Sequence, residues 1–256
     1  MKTLIVERDE RGVVAVTLNR PEKKNAIDYV MFTELLEIFN EMSNSSTDRV
    51  LVLSGAEGNF SAGADLGPGA PDRHQLDLMR FYSSVGLALH QLPQPAIAKV
   101  RGVAVGAGLN LALGCDLIAA SPTARLSEIF ARRGLSLDVG GSWLLPRLVG
   151  MHRAKELALL ADIISGEEAE RIGLVNRVVP DDQLDAVVND WAGRLAAGPP
   201  LALQMSKRLL NNAFAGGLAE ALDAEGMAQA VNTGTEDTKE ALRAFFHKRT
   251  PKFSGR

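Results

Sequence analysis

Apolar residues follow two periods along this chain, and each predicts a different element. Val13 to Leu18 and Val50 to Leu53 are β-branched runs closed by turn residues, Asn19-Arg20-Pro21 and Ser54-Gly55, and they read as buried strands. Between them Met31, Leu35, Ile38 and Met42, flanked by Phe32, Leu36 and Phe39, recur at helical spacing, with Asp28 placed to cap the helix. The unit repeats as a helical stretch from about Gln75 to Gln91, a strand at Ala96 to Val100, a short apolar segment at Leu109 to Leu113 and a strand at Leu117 to Ala120. An α/β layered core follows.

Past about residue 150 the strand period fades to one short run, Val175 to Val179, among helices. Ser165-Gly166-Glu167-Glu168 is a capping box, and Pro199-Pro200 separates a helix ending near Ala197 from one over Leu201 to Ala213. Further helices cover about Leu218 to Val231 and Glu236 to His247, and their apolar faces need a cover, either the core or another subunit. No low-complexity linker sets off an independent domain. The expected division is a core over 1–195 and a helical oligomerisation region over 196–256.

Composition narrows the function classes. At 256 residues, 46% hydrophobic and 23% charged, the chain suits one large globular unit. A formal net charge of −3 supplies no basic field, so nucleic acid is not an expected partner, and a gel shift at physiological salt checks this. Cys115 is the only cysteine, which excludes an internal disulfide and a cysteine-based zinc site, and the scattered His74, His90, His152 and His247 suggest no metal centre. The apolar stretch from Val103 to Ala120 is interrupted by Asn110 and Asp116, so no membrane span is expected, and a charged run stands where a secretory h-region would be. These features point to a soluble cytoplasmic protein.

Two small-residue turns carry the candidate chemistry. Asn59-Phe60-Ser61-Ala62-Gly63-Ala64-Asp65-Leu66 follows the second strand and leaves its backbone N–H groups open to close approach. Arg101-Gly102-Val103-Ala104-Val105-Gly106-Ala107-Gly108-Leu109-Asn110 also follows a strand and opens a short helix, whose N-terminus favours negative charge. Leu111 in the third glycine position excludes a dinucleotide fingerprint. Taken singly, the first is what most small-residue turns after strands are, a plain turn, and the second reads equally well as tight helix packing.

Together with the rest of the chain they resemble the crotonase superfamily, the enoyl-CoA hydratase and isomerase family. The resemblance runs through Leu18-Asn19-Arg20-Pro21 with Asn25-Ala26, Phe60 to Asp65, Val105 to Asn110 leading to Cys115-Asp116, Gly134 to Gly150, Ile172-Gly173-Leu174-Val175 and Thr250-Pro251-Lys252-Phe253. It implies an α/β spiral of ββα units with a helical C-terminal trimerisation part, a homotrimer or dimer of trimers, an acyl-CoA thioester as substrate, and no cofactor beyond the coenzyme A that the substrate carries.

Carried over by position, the N–H groups of Ala64 and Ala107, the latter next to Gly106, correspond to the oxyanion hole, and Lys24, Ala26, Ala62, Asp65 and Leu66 border coenzyme A. Lys24 reads alternatively as a solvated loop charge. The two glutamates with which the family's hydratases activate water are replaced by Asn110 and Phe130, neither of which titrates. Glu128 lies two residues from the second position and serves only if the alignment slips. Asp138, opening Asp138-Val139-Gly140-Gly141-Ser142-Trp143, matches the aspartate of isomerases in the family, and an apolar pocket with Phe130 and Trp143 would raise its pKa. Its plainer reading is a helix N-cap bonding Gly141 N–H. Asp116 reads as a backbone-turn residue, His152 as an exposed helix start and Cys115 as core. The sequence thus favours double-bond isomerisation of an enoyl-CoA by Asp138, with a hydratase using a nonstandard acid and a non-catalytic acyl-CoA binder as rivals.

Overall fold

The computed structural model describes residues 1–67 and 72–256. The chain opens with an antiparallel hairpin of β1 (Leu4–Arg8) and β2 (Val13–Leu18), whose turn is held by the Asp9 carboxylate accepting from the amides of Arg11 at 2.9 Å and Val13 at 3.0 Å. Helix α1 (Tyr29–Ser43) is capped as the sequence predicts, Asp28 accepting from Met31 N at 2.9 Å. It returns the chain to β3 (Val50–Gly55), parallel to β2. The same step recurs through α2 (Gln75–His90), β4 (Ala96–Val100), β5 (Val103–Val105), α3 (Ala107–Leu113), β6 (Leu117–Ala120) and β7 (Arg125–Ser127).

Then follow α4 (Gly141–Val149), α5 (Met151–Leu160), β8 (Ile164–Ser165), α6 (Gly166–Arg171), β9 (Arg177–Val178) and α7 (Asp181–Ala196). One sheet has the order β1-β2-β3-β4-β6-β9, parallel beyond its first pair, and a smaller one the order β5-β7-β8. Because each turn of the chain adds to the larger sheet and the middle turns also add to the smaller one, the polypeptide winds as a spiral. The main core fills the space between the large sheet and α1, α2 and α3, with Phe32, Phe39, Leu53 and Leu89 buried. The other face of the sheet is covered by α7 through Leu184, Val188 and Ala192 against Val50, Val52 and Ile97.

The C-terminal helices α8 (Pro200–Asn211), α9 (Leu218–Thr233) and α10 (Glu236–Phe246) are differently built. Polar ties dock α8: Lys207 Nζ reaches Gln94 O at 3.0 Å and Asp116 at 2.7 Å, and Asn211 reaches His90 O at 3.0 Å. Neither α8 nor α9 buries a residue in the single chain, and Phe214, Leu218, Phe245 and Phe246 are each more than 70% exposed.

Three features depart from the sequence expectation. Strands β1, β5, β7 and β8 carried no clear period, because three of them are at most three residues long and β1 is an edge strand ending in charged Glu7 and Arg8. The strand expected at Val175 to Val179 shrinks to Arg177–Val178, since Leu174 and Val175 turn into the core. The capping box closes on one side only: Ser165 Oγ accepts from Glu168 N at 3.1 Å, while the Glu168 carboxylate pairs with Arg171.

Candidate active site

Main-chain bonds stitch the two small-residue turns together. Phe60 N donates to Arg101 O at 2.8 Å, Ser61 N to Val103 O at 2.8 Å, and Val105 N to Ser61 O at 3.1 Å. Asn25, wholly buried on a left-handed backbone, is the hub on the other side. Its amide donates to Ala56 O at 2.9 Å and Asn59 O at 2.7 Å, and its carbonyl accepts from Ser61 Oγ at 2.8 Å. Ala62 N donates to Lys24 O, Ile27 N to Gly63 O, and Asp65 N to Ile27 O.

This ladder uses the amides on either side of Ala64 but not its own, and Ala107 is the first residue of α3, where helical amides lack an internal acceptor. Among the described residues neither N–H donates to another group. The turns meet at Gly63, where φ is +88° and a β-carbon would lie 2.8 Å from Val105 O and 3.8 Å from Ala107 N, so no side chain fits between them. Gly106 is fastened by its N–H to Ser127 O at 2.9 Å, which aims the start of α3.

Asp65, expected to border coenzyme A, is already paired. Arg20 and Lys23 each approach its carboxylate to 2.9 Å and Gly67 N donates to it at 3.0 Å, and these partners, Lys23 foremost, pull its pKa down to about 2. Lys24 is exposed and on a left-handed backbone, Leu66 is exposed, Ala62 is half-buried and Ala26 is buried. Of these, Lys24 and Ala62 are brought together by the bond from Ala62 N to Lys24 O at 2.9 Å.

Asp138 is in the opposite condition. The bond to Gly141 N comes from its backbone carbonyl at 2.9 Å, and Gly140 rather than Asp138 is the N-cap of α4, so the side chain does not cap the helix. The carbonyl also accepts from Asn110 Nδ2 at 3.0 Å. Its Oδ1 is buried with no hydrogen-bond partner, and burial pushes the carboxyl up to about 6. Val139, next in the chain, has a φ of +47°, a conformation that costs a β-branched residue on the order of 1–3 kcal/mol. Gly141 permits the approach of α3, since a β-carbon there would lie 2.5 Å from the Asn110 amide.

Glu128, given little weight by sequence, belongs to the same cluster. It is fully buried, its two oxygens lack hydrogen-bond partners, and burial first, then the nearby Asp138, pushes its pKa up to about 8. The Asn110 amide is close enough to offset part of that rise without reaching hydrogen-bonding geometry. Phe130, buried, has its ring edge against Gly106.

Trp143 is not drawn into this cluster. On α4 it is Leu145 that turns inward, and Trp143 lies 39% exposed, edge-on to His90 and beneath Arg147. It lines a surface cavity of about 470 Å³ with His90, Asp116, Arg147, Lys207 and Phe214. Asp116 accepts from Ala96 N at 2.7 Å, as expected of a turn residue, while Cys115 is buried with its thiol pushed up by burial, and His152 is exposed at the start of α5. Among the described residues no cluster of His, Cys, Asp and Glu is arranged to hold a metal, and no helix is long and apolar enough to cross a membrane.

Comparison with known proteins adds a family-level match. Residues 8–256 match the family model described as enoyl-CoA hydratase/isomerase. A 1,2-epoxyphenylacetyl-CoA isomerase of Escherichia coli K12 is 38% identical, the match covering 100% of both chains. A short-chain-enoyl-CoA hydratase of Clostridium acetobutylicum is 34% identical over 97% of this chain and 96% of its own. The crystal structure of an enoyl-CoA hydratase from Bacillus anthracis superposes with a TM-score of 0.94 at 33% identity, covering 99% of this chain and 100% of that one.

Proposed function

This chain belongs to the enoyl-CoA hydratase/isomerase family and has its fold, and on that premise we propose that it moves a double bond within an enoyl-CoA thioester. Asp138 is the acid and base, and the N–H groups of Ala64 and Ala107 receive the thioester oxygen. The observation that carries this reading is the Asp138 carboxyl: half-buried with Oδ1 sealed off and unpaired, relieved of helix capping, and lifted by burial to about 6, where a carboxylate is a competent base near neutral pH.

With a 3-enoyl thioester, ionised Asp138 takes a proton from the carbon next to the carbonyl, and the C–H electron pair passes into an enolate whose oxygen faces the two amides. Collapse of the enolate restores the carbonyl, forms the 2,3 double bond, and lets the former 3,4 pair take the proton from Asp138 at the fourth carbon. One carboxyl group suffices for this exchange. Adding water asks for a second group to activate it, and the two family positions for that task hold Asn110 and Phe130. The apolar faces left open on α8, α9 and α10 support assembly as a homotrimer or dimer of trimers through residues 196–256, which light scattering checks.

A hydratase reading is favoured by the hydratase names among the relatives. Presenting purified protein with 2-enoyl-CoA and 3-enoyl-CoA, and repeating with Asp138→Asn, separates the two. Isomerisation lost in the variant, with thioester binding retained, supports the isomerase. Hydration that survives the substitution overturns it in favour of the hydratase.

A further inference from the structure

A second carboxyl group is built into the site, and nothing in the isomerase reading uses it. Among the described residues five buried side-chain oxygens lack a hydrogen-bond partner, and four of them sit together: both of Glu128, Oδ1 of Asp138 and Oδ1 of Asn110. Buried polar atoms are otherwise nearly all satisfied in folded proteins, so a concentration of orphans at one point asks for a reason beyond folding. The three residues come from three elements. Asn110 projects from the first turn of α3, Glu128 follows the strand residue whose carbonyl fixes Gly106, and Asp138 stands on the strained turn before α4.

We infer that Glu128 is a positioning residue acting through Asp138: as a neutral carboxylic acid lodged behind the Asn110 amide, it leaves Asp138 as the single negative charge of the cluster, and its own ionisation shuts the site down. The reason is electrostatic. In a poorly solvated space two carboxylates resist being ionised together, so the pair holds one proton over a window of pH. When Asp138 takes a proton from substrate, the enolate becomes the only charge present. An ionised Glu128 would stand as a second charge against that enolate and oppose its formation.

Among the described residues no other charged group acts on Glu128. Arg132 on the same turn pairs with Asp162, Arg133 is exposed, and on the adjoining α5 His152 and Lys155 are exposed while Arg153 pairs with Glu156. Asp138 is the charged neighbour that acts on Glu128, and burial sets the direction for both, Glu128 up to about 8 and Asp138 up to about 6.

The inference rests on the isomerase reading for the role of Asp138, and its test has one arm that does not. In the activity arm, the pH profile of isomerisation rises near 6 and falls above about 8 in the wild type. Glu128→Gln keeps the acid limb and abolishes the alkaline one, which in the wild type drops about tenfold per pH unit. An alkaline limb unchanged in Glu128→Gln overturns the inference, since an amide that merely fills space would leave it in place.

In the second arm, infrared titration of the carboxyl groups follows the wild type, Glu128→Gln and Asp138→Asn without turnover. A protonated carboxyl band persisting at neutral pH, absent in Glu128→Gln and titrating at lower pH in Asp138→Asn, supports the pair even if no thioester is isomerised. A wild type with no protonated carboxyl at neutral pH overturns it. Should Glu128→Gln fail to fold, the Asp138→Asn shift decides, because removing the neighbouring charge must lower the pH at which Glu128 ionises.

Discussion

Asp65 and Asp138 stand at the mouths of two glycine turns, and their surroundings are opposites. The first is gripped by Arg20, Lys23 and the Gly67 amide, which hold it ionised with a pKa near about 2. The second has a buried oxygen with no partner and a pKa lifted to about 6. A carboxylate whose lone pairs are already taken fastens a loop and cannot readily accept a proton. One that is desolvated and unbonded is ready to do so. The contrast separates a clamp from a base, two roles that residue type alone does not distinguish.

Substitutions can break that contrast, and the largest effect belongs to Asp138. Asp138→Asn is expected to lower kcat for isomerisation by about 10²–10⁴, the usual contribution of a positioned acid or base, while thioester affinity measured by calorimetry stays close to wild type. Next comes the oxyanion pair. Ala107→Pro deletes one N–H at a helix position that tolerates proline, and is expected to cost about 10²–10³ in kcat, with Ala107→Gly, which keeps the donor, as the control.

Stability should respond to Glu128 in the opposite sense from Asp65. Folding lifts the Glu128 carboxyl from 4.5 to about 8, so between those values the folded state holds a proton that the unfolded chain has released, and stability falls as pH rises. Urea unfolding across that range should lose on the order of a few kcal/mol, and Glu128→Gln should flatten the part of the slope above about 6, where Asp138 no longer contributes.

Asp65 gives the smallest effect. Its lowered pKa stabilises the fold above the unfolded value of 3.8, and that contribution is lost as pH falls toward about 2. Asp65→Asn is expected to cost about 1 kcal/mol at neutral pH, roughly 2–4 °C in Tm, with little change in kcat.

Sequence reading reached the elements whose period is long enough to register. The strands Val13–Leu18, Val50–Gly55 and Ala96–Val100 were legible as apolar runs covered on both faces of the sheet, and the helices between them because each buries one continuous stripe. The small sheet was not, since two or three residues cannot display an alternation. At the site, the family resemblance pointed to Ala64, Ala107 and Asp138, yet whether Asp138 caps α4 depends on which oxygen meets Gly141 N, which only coordinates reveal. The orientation of Trp143 could not be read from sequence either, because helix rotation, set by Leu145 packing inward, turns it toward His90. Glu128 could be noticed as a carboxylate near the site but not located, because the 3-10 turn Ile129–Arg133 that follows it lacks a helical period.

Catalysis by this route requires two amides to meet at one oxygen. A crystal structure with an unreactive acyl-CoA bound tests it. The thioester oxygen should lie about 2.7–3.1 Å from both Ala64 N and Ala107 N, with the Asp138 carboxylate facing the carbons beside the carbonyl. A thioester oxygen held by only one of these amides, or by neither, would contradict it.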